Sequence, residues 1–119
     1  MDFDRNNAVS PMGADGCIDW DHPANSGLET IWCDDGSCPL TEIYQEKYSF
    51  MSRADYWVAA SNAVIKLRSP NNELDLKSTF KWGRVDADQC PDAALRLPGD
   101  TDCGEVQDVF LNRLGLTWT

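Results

Sequence analysis

Histidine is almost missing from this 119-residue chain, which carries one, His22. Chemistry that needs two imidazoles, or a histidine-rich metal cluster, has nothing to draw on. Basic side chains are scarce as well: ten Lys and Arg stand against twenty Asp and Glu, a formal net charge of −10. A chain of that sign does not hold nucleic acid or an anionic membrane surface by electrostatics, and the same acidity keeps it soluble. No apolar run approaches the length of a membrane span. No signal-peptide pattern stands at the N-terminus, where Met1 leads into Asp2, Phe3, Asp4 and Arg5. The expectation is that a targeting segment has been removed or that Met1 is not the natural start. There is no Gly-rich phosphate loop, no nucleophile elbow, no internal repeat and no low-complexity tract.

What is present is a folding composition, 42% hydrophobic with five tryptophans. The length predicts one domain or one piece of a larger domain. Ser52 to Leu67 is the strongest helix: Ala54, Trp57, Val58, Ser61 and Ile65 follow one face, and Ala59, Ala60, Ala63 and Val64 make the rest of the circumference small and apolar. Such a helix belongs inside a helical domain, and the rest of the chain looks too short to cover it. Ser52 and Asp55 form an S-x-x-D capping box at its start, Lys66 and Arg68 suit its last turn, and Ser69-Pro70-Asn71-Asn72 ends it. Pro39 to Met51 predicts a shorter helix with Thr41 as its cap, and Leu28 to Trp32 one turn more. A last helix over about 103–114, capped by Asp102 or Thr101, buries Val106, Val109, Phe110 and Leu114 and ends at Gly115. Residues 1–27 and 69–104 read as long loops rich in turn formers, with Phe80-Lys81-Trp82 a short extended piece. The fold class is therefore mainly α and irregular.

Five cysteines stand at Cys17, Cys33, Cys38, Cys90 and Cys103. Local spacing favours disulfides Cys33–Cys38 and Cys90–Cys103, which leaves Cys17 over for a free thiol or an outside partner. A zinc site is the weaker alternative. Paired cysteines point to an oxidising compartment: secreted, secretory pathway or thylakoid lumen. Asp34-Asp35 and Asp19 with Asp21 are candidate carboxylate pairs, but they stand in turns where Asp is expected anyway. The tryptophans could relay electrons; core packing is the commoner use.

Five short motifs occur in order: Gly13-Ala14-Asp15-Gly16-Cys17, Asn25-Ser26-Gly27-Leu28, Ser52-Arg53-Ala54-Asp55, Gly83-Arg84-Val85-Asp86, and Leu97-Pro98 followed by Val109 to Leu116. Together they resemble the plant, fungal and bacterial haem peroxidase superfamily, nearest to its cytochrome c peroxidase and ascorbate peroxidase branch. The resemblance runs over residues 1–119 and makes the chain an irregular helical fragment of a haem-peroxidase-like domain, a partial domain between the two catalytic histidines. The family's distal Arg-x-x-Phe-His stretch would precede the first motif, and its proximal Gly-Ala-His stretch would follow Leu116. His22, in Asp21-His22-Pro23, lies in neither context and reads as a surface-loop residue. By the same resemblance Asn25 matches the Asn that supports the distal imidazole, Pro98 the loop at the haem edge, and Gly13 and Asp15 a distal calcium position. That calcium site is expected to be vestigial, since Cys17 replaces a family Ser and calcium wants six to eight oxygens. Arg84 and Asp86 read as structural ion-pair partners tying the long loop to the core.

The expectation for function is a catalytically incompetent, peroxidase-derived structural or interaction subunit, with no catalytic residue of its own and other protein chains covering its exposed apolar helix faces. Haem and calcium belong to the parent family; none is expected for this chain alone. Two alternatives stand beside it: a partial chain of an active haem peroxidase that reduces hydrogen peroxide, and a small disulfide-linked binding module. The branch resemblance allows a plastid or cytoplasmic home in place of an oxidising one.

Overall fold

A computed structural model describes residues 5–6, 13–90 and 103–117. Among them the fold is mainly helical, with no strand. Three α-helices appear: α1, Pro39–Ile43, continued by a π turn at Tyr44–Tyr48; α2, Arg53–Arg68; and α3, Cys103–Gln107, continued by a π turn at Asp108–Arg113. Single 3-10 turns stand at Pro23–Asn25, Leu28–Thr30, Pro70–Asn72 and Leu76–Thr79. The chain divides into two units, residues 15–90 and residues 1–14 with 91–119. No helix among the described residues is long and apolar enough to cross a membrane.

In the unit of residues 15–90, α2 starts where the sequence places it. Ser52 is extended, and its Oγ accepts the Asp55 N–H at 3.1 Å. Only that half of the expected capping box forms, because the Asp55 carboxylate turns elsewhere. The helix ends at Ser69, whose hydroxyl donates to the Lys66 carbonyl at 2.8 Å, and Asn71 and Asn72 follow with positive φ. Ala54, Asp55 and Tyr56 are buried, but from Ser61 to Arg68 every residue except Asn62 is exposed. Burial on all sides therefore holds for the first turns alone.

Helix α1 packs Trp32, Tyr44 and Tyr56 together. The indole of Trp32 meets Trp57 edge-on with centroids 5.0 Å apart and lies 5.8 Å from Tyr44; Tyr44 and Tyr56 are 5.1 Å apart. Each such pair contributes about 0.5–1.5 kcal/mol beyond the area it buries. Both phenols find carbonyls, Tyr44 at Met51 (2.8 Å) and Tyr56 at Leu40 (3.2 Å). The cap of α1 is Cys38 with Pro39 at its first position, not Thr41. Thr41 is buried one turn in, where its hydroxyl donates to the Cys33 carbonyl (2.9 Å) and accepts the Cys33 N–H (3.0 Å). It closes the 33–38 loop that Cys33–Cys38 also closes, as expected, at a Cα separation of 5.6 Å.

The second disulfide overturns the local pairing. Cys90 joins Cys17, Cα to Cα 5.2 Å across 73 residues, so Cys17 is not left over, and Cys103 is the free, exposed thiol. The reason is long-range: the Ala87 N–H donates to the Asp15 carbonyl at 2.7 Å and lays residues 87–90 beside 15–17. Two disulfides place the chain in an oxidising compartment.

In the other unit Val109 is buried, Phe110 and Leu114 are half-buried, and Val106 is largely exposed. Gly115, at φ +75°, takes the left-handed position expected of it, and the Leu116 N–H reaches back to the Phe110 carbonyl at 3.0 Å. The Arg5 guanidinium donates to the Asn112 carbonyl at 3.0 Å, a positive charge at the negative end of the helix. The expected caps Thr101 and Asp102 lie outside the described residues.

Alkylation of the unfolded, unreduced chain is expected to label one thiol, on Cys103; label on Cys17 would contradict the pairing. In the chain-entropy account, Cys17→Ser with Cys90→Ser costs about 4 kcal/mol in denaturant unfolding, and opening Cys33–Cys38 about 2 kcal/mol.

Candidate functional site

Three of the motifs, those of Asp15 to Cys17, Ser52 to Asp55 and Gly83 to Asp86, meet at the N-terminus of α2, while Asn25 to Leu28 stands apart in its own turns. Asp86 accepts the Arg53 and Ala54 N–H groups, each at 2.9 Å, which satisfies two amides that have no acceptor inside the helix. Its negative charge also sits at the positive end of the helix dipole. Asp55, only 4% exposed, points the other way and accepts three donors: the Gly83 N–H (2.8 Å), the Arg84 N–H (3.3 Å) and the Arg84 guanidinium (2.8 Å). The Arg84 side chain also reaches the Lys81 carbonyl and lies over the Phe80 ring, 5.4 Å from its centroid. Arg84 and Asp86 thus tie the long loop to the core, each through a different partner on α2.

Gly16 closes the junction. It is buried with φ +71°, and a Cβ there would overlap the Asp86 carboxylate and press on the Ala54 amide. Beyond Asp86 a looser chain of charge runs outward. Arg53 approaches Asp86 (3.8 Å) and Asp34 (3.6 Å), and Asp34 accepts the Trp20 indole N–H at 3.0 Å. Burial, the largest single influence on Asp55, raises its pKa, but the Gly83 amide and Arg84 outweigh it and hold the carboxyl below 3.8. Burial, and after it the charge of Asp86, pushes the Tyr44 phenol up from 10.0.

Apart from Asp34, the described residues singled out for chemistry are occupied with turns. His22 is half-buried, and its Nδ1 accepts the Ala24 N–H at 3.2 Å in the Pro23–Asn25 turn. The Asn25 amide donates to the Asp19 carbonyl at 2.7 Å. Asp19 accepts the Asp21 N–H, and Asp35 accepts both the amide and the hydroxyl of Ser37, which lower its pKa. Asp15 accepts the Cys17 N–H at 3.1 Å, and its carbonyl serves Ala87. Gly13 adopts φ +114°. Among the described residues no three His, Cys, Asp or Glu side chains cluster. Pro98 lies outside the described residues. No family model matches the chain, and no curated protein and no solved structure matches it.

An apolar groove of about 440 Å³ runs along one side of α2. Leu28, Ile31 and Leu40 form one wall, Val64 and Ile65 the other, and Trp57 the floor at the buried end. Its rims are open, with Val64 58% exposed. Residues 13–46, which supply the first wall, hold eight carboxylates (Asp15, Asp19, Asp21, Glu29, Asp34, Asp35, Glu42, Glu46) and no Lys or Arg. The part of α2 that faces them, Trp57 to Ile65, carries no charge at all.

Asp55→Asn is expected to cost about 3 kcal/mol at neutral pH, because it strands Arg84 and weakens two amide bonds. The folded pKa of Asp55 is depressed, so its contribution is complete above the unfolded value and fades as pH falls through the folded one. The gap between wild type and Asp55→Asn in urea unfolding therefore narrows below about pH 4; a gap that widens in acid contradicts this. Gly16→Ala, strained and colliding with Asp86, loses at least about 2 kcal/mol in the same assay.

Proposed function

We propose that this chain is a peroxidase-derived polypeptide without catalytic power that works as a structural or interaction subunit. One contrast carries the reading. Asp15-Gly16-Cys17, Ser52 to Asp55 and Gly83 to Asp86 all serve the scaffold junction, while His22, Asn25, Asp19 and Asp35 spend their polar atoms on local turns and Asp34 is engaged by Trp20 and Arg53. Peroxide cleavage needs an imidazole placed to move a proton and a second to hold iron; this sequence has one, His22, whose Nδ1 accepts the Ala24 N–H in a turn, and this supports the reading. The groove beside α2 supplies the docking face, a contiguous apolar surface of the kind that marks contact sites. Its partner is a protein chain that presents apolar side chains among basic ones, because the wall over residues 18–40 lies in a stretch charged with carboxylates alone. A secreted, secretory-pathway or thylakoid-lumen home fits this reading.

Two measurements test it. Haemin added to the purified, disulfide-intact chain is expected to give no sharp Soret band and no peroxide turnover; both appearing would overturn the non-catalytic reading. Val64→Glu is expected to change stability by less than about 0.5 kcal/mol, as for a residue held apolar for contact rather than for folding. A loss comparable to that of Tyr56→Ala, about 3 kcal/mol or more, would place Val64 in the core instead.

A further inference from the structure

The opposite side of α2 carries a second cavity that the docking reading does not use. Successive residues turn by about 100°, so Ala59, Asn62, Ala63 and Lys66 share the strip across the helix from Trp57, Ala60, Ser61 and Val64. Ala59 and Ala63, one turn apart, leave a shallow floor that longer side chains would fill. Phe80 and Trp82 stand over it, edge to face with centroids 4.6 Å apart, and Lys77 and Asp75 close the rim around about 380 Å³. That volume and an apolar lining with a few polar groups are what small-molecule sites have.

The polar groups of this cavity are unequally spent. Lys66 and Asp75 pair at 2.6 Å and neutralise one another, which is also what lowers the Asp75 pKa most. Asp75 further accepts the Lys77 N–H at 3.0 Å, so the ammonium end of Lys77 stands on a fixed backbone turn. The Lys77 ammonium, whose charge also acts on Asp75, and the Asn62 carboxamide make no hydrogen bond among the described residues. Lys77 is a cationic donor, and Asn62 can turn its amide N–H to the same ligand. The surroundings agree in sign: residues 66–84 hold five basic side chains (Lys66, Arg68, Lys77, Lys81, Arg84) against Glu73 and Asp75, in a chain of net −10. The aromatic wall is anchored from behind, since Arg84 lies over Phe80 while it is held by Asp55.

We propose that this cavity binds a flat aromatic carboxylate, its ring on the Ala59–Ala63 floor against Phe80 and Trp82 and its anion at Lys77 and Asn62. The site makes no use of the peroxidase resemblance. A flat ring gains area against Trp82, which is 65% exposed in the free chain, and the carboxylate gives Lys77 and Asn62 the acceptor they lack. An amine of the same shape would meet Lys77 as a like charge.

The test is calorimetric titration of the full chain with 2-naphthoate, 2-naphthol and 2-naphthylmethylamine. The expected result is saturable 1:1 binding of naphthoate, about tenfold weaker binding of naphthol and weaker still of the amine. Lys77→Ala is expected to weaken naphthoate about fivefold and bring it toward naphthol, while Trp82→Ala weakens both. Both side chains are exposed, so these variants keep the fold, checked by far-UV circular dichroism. Val64→Glu, in the groove on the other strip, is expected to leave naphthoate binding unchanged. Naphthoate binding no tighter than naphthol, binding that survives Lys77→Ala and Trp82→Ala unaltered, or no binding at all would each overturn the proposal.

Discussion

Two carboxylates at one helix end hold together segments that have little else to hold them. Among the residues described in 15–90, the buried apolar side chains are Trp32, Cys38, Ala54 and Tyr56. Residues 80–90 carry no helix and no ladder of backbone bonds, and their exposed Trp82 and Val85 contribute no burial. What fixes them is Asp55 drawing in the Gly83 and Arg84 amides, Asp86 reaching back to the Arg53 and Ala54 amides, and the Cys17–Cys90 bond behind. Hydrogen bonds to a charged group contribute about 1.5–3 kcal/mol each, roughly twice a neutral one. A handful of them rivals the burial of one or two large side chains, which is how a small core carries long loops. Gly16 follows from the same constraint, because the carboxylate and the helix amides leave no room for a side chain where the third segment crosses them.

The constraint also explains where α2 is bare. Its first turns are enclosed by the junction and by the Trp32 and Tyr44 rings; from Ser61 to Arg68 every residue except Asn62 is exposed, with Phe80, Trp82 and Asp75 beside one strip and Leu28 and Ile31 beside the other. One strip opens into an apolar groove beside an acid-only stretch, the other into an aromatic cavity beside basic residues. A helix apolar on nearly every side is costly to leave in water, and the two openings of opposite charge character give each side a distinct occupant. The proposed roles divide along that line, a protein on the acidic side and a small anion on the basic side.

What the sequence made legible was local. The limits of α2 were readable within a residue because Ser52, Lys66, Arg68 and Ser69-Pro70 act through contacts within one turn. Gly115 was readable for the same reason. Thr41 was misread because a threonine at a helix start caps in isolation, and here Cys33 competes for its hydroxyl across the loop. The Cys90 partner was misread because local spacing cannot see the bond that lays Ala87 against Asp15. Asp55 was half-read: its amide role was plain, but its carboxylate serves Gly83 and Arg84, twenty-eight and twenty-nine residues on. Arg84 and Asp86, read as structural ion-pair partners, do tie the loop to the core, but Arg84 pairs with Asp55 and Asp86 with Arg53. Neither the groove nor the aromatic cavity was legible, since each needs residues from two loops and one helix face at once.

Native-state hydrogen exchange at single-residue resolution tests the central claim most directly. If the Asp55 and Asp86 junction organises residues 15–90, the Gly83 and Arg84 amides, though outside any helix, exchange as slowly as Ala54, while amides of α2 beyond Val64 exchange faster. Exchange of Gly83 and Arg84 at the rate of an open loop, with α2 uniformly protected to Arg68, would contradict it.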